Sequence, residues 1–292
     1  MKFNSAFLVI IFFSGLSSFA QDATVYGYLN GDTAQTPIDS LNYLWKKSIV
    51  YSLDSNELWV ADRIGNIYTS SNGVLSKYDT TGVLKFSQSV KSMGETKQML
   101  PVNSMKLIHF SEEQQTLCYF DNTLTRYNDC LELSQMDIVN ASFVSYSGRS
   151  DMVWVYDDVN SKLVLLSLSG NQQNNQKIEN LNGILDVTNI VQIIELENKL
   201  YIVDNEKGVY IFDLYGSLIE YREEKGLKCI YVKDGLMIML VEGSLKIENM
   251  KLNESYTFPL PVKEVEFFQP AGEHFFFRTS QHVHKFLLQI AK

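Results

Sequence analysis

The sequence is short of basic residues. Lys and Arg number 25 against 34 Asp and Glu, which gives a formal net charge of −9. Nucleic-acid binding needs clustered Lys and Arg to neutralise phosphates, and anionic membrane surfaces attract the same residues. The composition therefore argues against both classes of partner. It permits cations or a protein that presents a basic patch.

Long hydrophobic runs are absent beyond the first twenty residues. There, Lys2 precedes an apolar core at Ala6–Phe13, and Ser18-Phe19-Ala20 forms a small-x-small cleavage site before Gln21. This pattern predicts a secretory signal peptide over residues 1–20, with an uncleaved anchor as the alternative. Setting it aside removes one Lys, so the mature net charge becomes −10. We expect an exported chain without membrane insertion after cleavage, periplasmic or associated with the outer membrane.

Cysteine is scarce, with only Cys118, Cys130 and Cys229. An odd number in an exported chain does not make a disulfide framework, and no zinc-site spacing is present. Cys118 and Cys130 fall in one predicted sheet, but on strands that should not be neighbours. Small buried side chains are the favoured interpretation, and a Cys118–Cys130 disulfide is the alternative.

Recognisable catalytic motifs are missing as well. No G-x-S-x-G elbow, dinucleotide fingerprint or phosphate-binding loop occurs. His282 and His284 share one face of a predicted strand, and His274 lies on the adjoining strand. A half-buried surface pair is the favoured interpretation over a metal site, because no third ligand is identifiable. We therefore predict no catalytic residues, no metal and no cofactor.

The clearest feature that is present runs from Lys199 to Tyr221. Apolar runs at Leu200–Val203 and Val209–Phe212 alternate with polar turns, and Ser217–Tyr221 begins a third strand. This is typical of a tight antiparallel meander. Since the two runs are almost continuously apolar, both faces of the sheet should be covered by similar sheets.

The same unit recurs six times along the chain, which predicts an all-β, six-bladed β-propeller as a single domain over residues 21–292. Blade one is predicted to start with Ser48–Leu53, and Leu41–Lys47 to be a short irregular link. Val90–Asn103 is predicted as a connector before blade two. Blade six lacks one strand, and Thr24–Leu29 is predicted to complete it and close the ring. Seven blades are the alternative, if Asn30–Lys47 hides another partial sheet.

The repeat resembles a known family. LYIVDNEKGVYIFDLYGSLIEY in blade four is similar to the NHL-type repeat, and Leu58–Asp62 with Gly65–Tyr68 resembles the same motif. The resemblance to NHL-like and YncE-like propellers implies the fold and leaves the activity open, because propellers serve many functions. The signal peptide and the composition also resemble envelope proteins of Bacteroidota.

Four apolar strands end in aspartate: Asp62, Asp121, Asp157 and Asp204. If each is the second strand of its blade, the four carboxylates form an arc on one rim. Their neighbours would decorate the same rim, namely Arg63, Asn122, Asp158, Asn205 and Glu206. The alternative is turn chemistry, since Asp accepts hydrogen bonds from the backbone just beyond it.

These features predict a non-enzymatic envelope propeller that scaffolds a protein interaction through one acidic rim. The expected partner is another envelope protein with a basic patch. A metal-dependent lactonase or related sugar hydrolase is the first alternative. A carbohydrate-binding module is the second, because the many aromatic residues could line a groove, although such residues more often pack in cores.

Overall fold

A computed structural model describes residues 43–54, 57–169, 176–185, 189–252 and 254–290. In this part of the chain, 24 strands form six four-stranded antiparallel sheets. The all-β, six-bladed propeller is thereby confirmed, and the seven-bladed alternative is wrong. None of the described helical segments is long and apolar enough to cross a membrane.

Each blade is an up-and-down sheet whose first strand is innermost. Blade one consists of β2 (Leu58–Ala61), β3 (Ile67–Ser71), β4 (Val74–Tyr78) and β5 (Leu84–Ser89). Blade two consists of β6 (Gln98–Asn103), β7 (Lys106–Ser111), β8 (Thr116–Asp121) and β9 (Leu131–Glu132). Blade three consists of β10 (Ala141–Tyr146), β11 (Met152–Asp157), β12 (Lys162–Ser167) and β13 (Gln176–Ile178).

The second half of the chain continues the pattern. Blade four consists of β14 (Ile190–Leu196), β15 (Lys199–Asp204), β16 (Gly208–Asp213) and β17 (Leu218–Glu223). Blade five consists of β18 (Leu227–Lys233), β19 (Leu236–Val241), β20 (Ser244–Asn249) and β21 (Glu254–Pro259). Blade six consists of β22 (Phe267–Ala271), β23 (His274–Arg278), β24 (His282–Ile290) and β1 (Tyr43–Ser52).

The ring is closed by β1, the outer strand of blade six. It pairs antiparallel with β24, from Tyr43 opposite Ile290 to Ser52 opposite His282. Closure by an N-terminal strand is therefore confirmed. The irregular link predicted at Leu41–Lys47 is wrong from residue 43 onward, and Ser48–Leu53 does not start blade one. Thr24–Leu29 lies outside the described residues.

Trp45 is the anchor of this closing strand. Its ring packs edge-on against Phe275, Phe277 and Phe286 of blade six. Its indole Nε1–H donates to the carbonyl of Pro259 in blade five at 3.1 Å. One side chain thus ties β1 both to its own sheet and to the neighbouring blade.

The blades bury their apolar faces against each other, and three glutamines join the inner strands. Gln269 holds the backbone of Ala61 through both amide atoms, at 2.9 Å and 2.6 Å. Gln192 holds Ile230 in the same two-sided way, and Gln98 accepts from the N–H of Val144 at 2.8 Å. These contacts link blades six and one, four and five, and two and three.

Blade two corrects the cysteine prediction. The predicted connector Val90–Asn103 contains its first strand, β6, so every later strand of the blade moves one place outward. Leu124–Tyr127 lies in the wide turn between β8 and β9. Because β8 and β9 are neighbours, Cys118 and Cys130 form a disulfide, while Cys229 is free and buried.

Candidate functional site

The up-and-down blades give the propeller two faces. The hairpin face carries the turns between first and second strands and between third and fourth strands. The linker face carries the turns between second and third strands and the connections from one blade to the next. Every strand end can be assigned to a face from its place in the blade.

The predicted arc of four aspartates is wrong. Asp62 follows the first strand of blade one and Asp121 ends the third strand of blade two, so both lie on the hairpin face. Asp157 and Asp204 end second strands, so they lie on the linker face. A strand–turn junction favours Asp wherever it occurs, and the apolar-Asp pattern therefore did not identify the same strand in each blade.

Their neighbours divide in the same way. Arg63 and Asn122 lie on the hairpin face, whereas Asp158, Asn205 and Glu206 lie on the linker face. Arg63 is exposed. Burial raises the pKa of the Tyr231 hydroxyl in blade five. The positive charge of Arg63 lowers this pKa and the negative charge of Asp234 raises it.

Asp62 organises the first turn of blade one. Its buried Oδ1 accepts from the N–H groups of Ile64, Gly65 and Asn66 at 2.9–3.1 Å. Its Oδ2 accepts from the Asn66 side-chain amide at 2.7 Å. Both oxygens of this carboxylate therefore accept hydrogen bonds from the turn and stabilise its conformation.

Asp121 has a similar structural role in blade two. Its Oδ1 accepts from the backbone N–H groups of Thr123 and Thr125 and from the Thr123 hydroxyl. Burial opposes ionisation, but these hydrogen bonds and the charge of Lys77 hold the pKa of Asp121 below its usual value. Asp79 and Asp213 cap the equivalent turns of blades one and four in the same manner.

The two linker-face aspartates hold turns, and Asp157 also holds a blade connection. Asp157 is fully buried and accepts from the N–H groups of Val139 and Asn140 and from the Asn160 amide. Burial raises its pKa, yet the bonds from Asn160 and Val139 outweigh that effect and lower it. Asp204 accepts from the N–H groups of the next turn at 2.9 Å and 2.8 Å. Turn and connection hydrogen bonds therefore hold all four aspartates, although Oδ2 of Asp204 is buried without a hydrogen-bond partner.

The inner strands hold a single carboxylate, Glu195. It is 7% exposed, between blades three and four. Its Oε2 accepts from the Ser147 hydroxyl at 2.7 Å and from the Trp154 indole N–H at 2.5 Å, and its Oε1 accepts from the Gly148 N–H. The partly exposed residues of these strands are mainly apolar, as at Leu58, Val60, Leu100, Phe143, Ile194 and Phe267. The inner strands therefore lack the converging carboxylates and amides that a lactonase-type metal site needs.

The histidines do not assemble a ligand set. His284 lies opposite Phe277, whereas His274 lies opposite Leu287, so the third histidine is displaced along the sheet. No group of three His, Cys, Asp or Glu suited to a metal ion occurs in the described ranges. His109 is fully buried in blade two, where its Nε2 lies 3.0 Å from the Thr96 hydroxyl.

Charge distinguishes the two faces; the sequence interpretation expected one acidic rim but assigned residues of both faces to it. The described connections of the linker face carry thirteen acidic residues against five lysines: Asp54, Glu57, Glu95, Glu112, Glu113, Asp137, Asp158, Glu179, Glu206, Glu224, Glu242, Glu264 and Glu266, against Lys91, Lys97, Lys207, Lys225 and Lys263. The described turns of the hairpin face carry seven against four: Asp62, Asp79, Asp129, Asp151, Glu197, Asp234 and Glu273, against Arg63, Arg126, Arg149 and Lys251. Correct strand order within each blade would have revealed this difference.

Comparisons with known proteins support the fold. No family model and no curated protein sequence matches the chain. Virginiamycin B lyase from Staphylococcus aureus is similar in structure, with 12% identity, a TM-score of 0.55 and coverage of 78% of this chain and 79% of that one. The WD40 domain of Neurospora crassa Pan2 has 8% identity, a TM-score of 0.59 and coverage of 83% and 95%. A chain of a mitotic checkpoint complex has 7% identity, a TM-score of 0.60 and coverage of 94% and 99%.

The set of structural relatives therefore includes an enzyme as well as WD40 and multiprotein-complex propellers. Identities of 7–12% establish a shared fold and leave the activity of this chain open. The NHL-type resemblance and the resemblance to Bacteroidota envelope proteins remain sequence-based predictions.

Proposed function

We propose that this chain is an exported, non-enzymatic β-propeller that holds a basic partner protein against its linker face. The observation that carries the proposal is the thirteen-to-five excess of acidic residues on that face. Such an excess attracts Lys- and Arg-bearing surfaces and speeds their association. Two segments of this face are held in place by hydrogen bonds: Asp157 accepts from the N–H of Val139 in a blade connection, and Asp204 accepts from the N–H of Glu206 in a turn.

Export is supported by two independent features. The first is the predicted signal peptide over residues 1–20. The second is the Cys118–Cys130 disulfide, since disulfides persist mainly in oxidising compartments. A periplasmic or outer-membrane-associated location would fit both.

A protein partner also fits the set of structural relatives, which contains a chain of the mitotic checkpoint complex. Virginiamycin B lyase, one of the similar structures, is an enzyme, so an enzymatic role is the alternative. The composition of the inner strands weighs against a metal-dependent lactonase, because their one carboxylate, Glu195, already holds three donors. No described feature favours carbohydrate binding.

The test compares two triple variants with the same change of charge. Glu113→Gln, Glu206→Gln and Glu242→Gln neutralise three exposed carboxylates on the linker face. Asp129→Asn, Asp234→Asn and Glu273→Gln neutralise three exposed carboxylates on the hairpin face as the control. The partner is identified by quantitative cross-linking in native envelopes and then purified for binding measurements.

We expect the linker-face triple variant to bind that partner at least tenfold more weakly at low salt, mainly through slower association. The control variant should bind like the wild type. Equal weakening by both triples would leave only a general charge effect and refute the assignment of the linker face. Turnover of lactones by the purified chain would refute the non-enzymatic role.

A further inference from the structure

Strand β5 is the least protected sheet edge in the described part of the chain. All six residues of Leu84–Ser89 are exposed. In the sheet order, β5 is terminal and pairs only with β4. The peptide groups along its outer side are therefore available to another strand.

The other outer strands are shielded in recognised ways. β9 has two residues and β13 has three, which are too short to pair well with an added strand. β21 ends in Pro259, β17 carries Glu220, Arg222 and Glu223, and β1 carries two lysines. Short length, proline and charge all discourage edge pairing. β5 has a register shift at Lys85, but it has six residues, no proline and only that one charged side chain.

The surface around β5 is basic, unlike the chain as a whole. Residues 44–52 and 79–91, which we name the basic wall, contain Lys46, Lys47, Lys85 and Lys91. Their one acidic residue, Asp79, is paired with Lys85 at 2.9 Å. The two segments adjoin, because a Cβ at Gly82 would lie 3.3 Å from the ring of Tyr51 and 3.8 Å from the Ile49 side chain.

The basic wall also exposes apolar side chains. Val83 is 53% exposed, Leu84 is 52% and Phe86 is 39%. Leu84 lies opposite Tyr78 and Phe86 opposite Lys77, with a register shift between them, so the two side chains lie on opposite sides of the sheet. An added strand, whose side chains alternate between the two sides, could pack one apolar residue against each.

We propose that β5 binds an extended, acidic segment of a second protein as a fifth strand of blade one. The free peptide groups of β5 supply the main-chain hydrogen bonds of strand addition, and the lysines of the basic wall select carboxylates. The basic partner proposed for the linker face would be repelled here. Binding of an acidic strand at β5 is therefore independent of binding of a basic partner at the linker face.

Other occupants fit the basic wall less well. A lipid bilayer leaves the unpaired peptide groups of an edge strand without hydrogen-bond partners, which is costly in hydrocarbon. A second copy docked β5 to β5 would bring the lysines of two basic walls together. An acidic strand satisfies both the peptide groups and the charge.

The probes are two capped octapeptides added to the mature, disulfide-bonded chain. One alternates Glu with Val and Thr, and the other has Lys in place of every Glu. Hydrogen–deuterium exchange is followed by mass spectrometry at low ionic strength, and affinity is measured by fluorescence anisotropy. We expect the acidic peptide to slow exchange within residues 84–89 alone. The lysine peptide, and an acidic peptide with alternate backbone nitrogens methylated, should give no protection.

Variants locate the charge contribution without altering β5. Lys46→Glu with Lys47→Glu should weaken binding of the acidic peptide at least tenfold. Lys251→Glu with Lys263→Glu, exposed lysines outside the basic wall, makes the same change of charge and should leave binding unaltered.

Four results of the peptide and variant experiments would overturn the proposal, and a fifth would come from lipid vesicles. They are absence of protection at residues 84–89, equal protection by both peptides, equal weakening by both variant pairs, and protection that grows with protein concentration alone. The last would identify a second copy as the occupant. Protection by phosphatidylglycerol vesicles with none by the acidic peptide would identify a membrane contact and would also refute the proposal.

Discussion

Glu195 shows how a single buried side chain can join two blades. Its carboxylate receives hydrogen bonds from Ser147, Gly148 and Trp154 of blade three while its own backbone belongs to β14 in blade four. Charge-assisted bonds of this kind are stronger than neutral ones. Removing the acceptor leaves buried donors without a partner, which costs more than the bonds themselves contribute.

Replacing Glu195 by glutamine should therefore lower the free energy of unfolding by about 2 kcal/mol. The amide nitrogen would face donors that need an acceptor. Chemical denaturation measures the change, with Glu223→Gln on exposed β17 as a control that should stay within about 0.5 kcal/mol of wild type. A loss for Glu195→Gln no larger than that of the control would contradict a linking role between the blades.

His109 makes stability depend on pH. Burial lowers the pKa of its imidazole from 6.5 to about 4. Below pH 6.5 the unfolded chain binds a proton at this residue and the folded chain does not. The free energy of unfolding should therefore fall as pH drops from about 6.5 to 4, by up to about 3 kcal/mol.

His109→Gln removes the titrating group and keeps a polar side chain near Thr96. Denaturant titrations at several pH values should show a shallower acid dependence for the variant than for the wild type. Stability is fully retained above the unfolded-state pKa, so the two curves should run parallel at pH 7 and above. Identical slopes between pH 6.5 and 4 would exclude His109 as the source.

At the level of elements, the sequence predicted the last three strands of blade four, because they are short runs separated by polar turns. Gly208 is one reliable turn signal: its φ is +124°, and a Cβ there would collide with the Arg222 carbonyl. The position of each strand within its blade was predicted less well. In β6, Pro101 and flanking polar residues disguise an inner strand as a connector, and blade two was displaced by one strand.

That displacement hid the disulfide. Once β8 and β9 are neighbours, Cys118 and Cys130 close a loop with a sequence separation of 12 residues. A crosslink of this size should stabilise the fold by about 3 kcal/mol, chiefly by restricting the unfolded chain. Reduction should therefore lower the melting temperature of the wild type.

Cys118→Ala with Cys130→Ala provides the matched experiment. Its melting temperature should be insensitive to reductant and should lie near that of the reduced wild type. Cys229 is buried, and burial raises its pKa to about 12, so it should resist thiol reagents in the folded state of both proteins. Sensitivity of the double variant to reductant would contradict the assignment.

The closing strand is the element on which the ring depends. Trp45→Ala removes three ring contacts and the bond to Pro259, and should cost about 2 kcal/mol because the side chain is partly exposed. Leu44→Ala on the same strand is 63% exposed and should cost little. Equal effects of the two substitutions, measured by chemical denaturation, would show that Trp45 does not anchor β1.

At the scale of the whole molecule, six similar sheets behave as one body only because the ring is closed. Three glutamines join blades two and three, four and five, and six and one. Glu195 joins blades three and four, and Trp45 joins blades five and six. The sequence predicted blade number and closure, since both follow from counting strands. It predicted one acidic rim but not which residues lie on which face, because that depends on which strand each turn follows.

A closed ring should unfold in one step. Trp45, Trp59 and Trp154 lie in blades six, one and three, so their fluorescence and far-ultraviolet circular dichroism should give coincident denaturation curves in the wild type. Deleting residues 1–52 removes β1 and should separate the fluorescence transition of Trp59 from that of Trp154. Coincident curves after the deletion would show that the blades cooperate without closure.

The pairing of β1 with β24 also sets an order on biosynthesis. The first described strand to leave the ribosome has its hydrogen-bonding neighbour almost at the end of the same polypeptide. Until translation is nearly finished, blade six is missing three strands and the ring cannot seal. The predicted signal peptide implies export through a translocon. Late closure would keep the chain unfolded during that export, and the propeller would become rigid only afterwards.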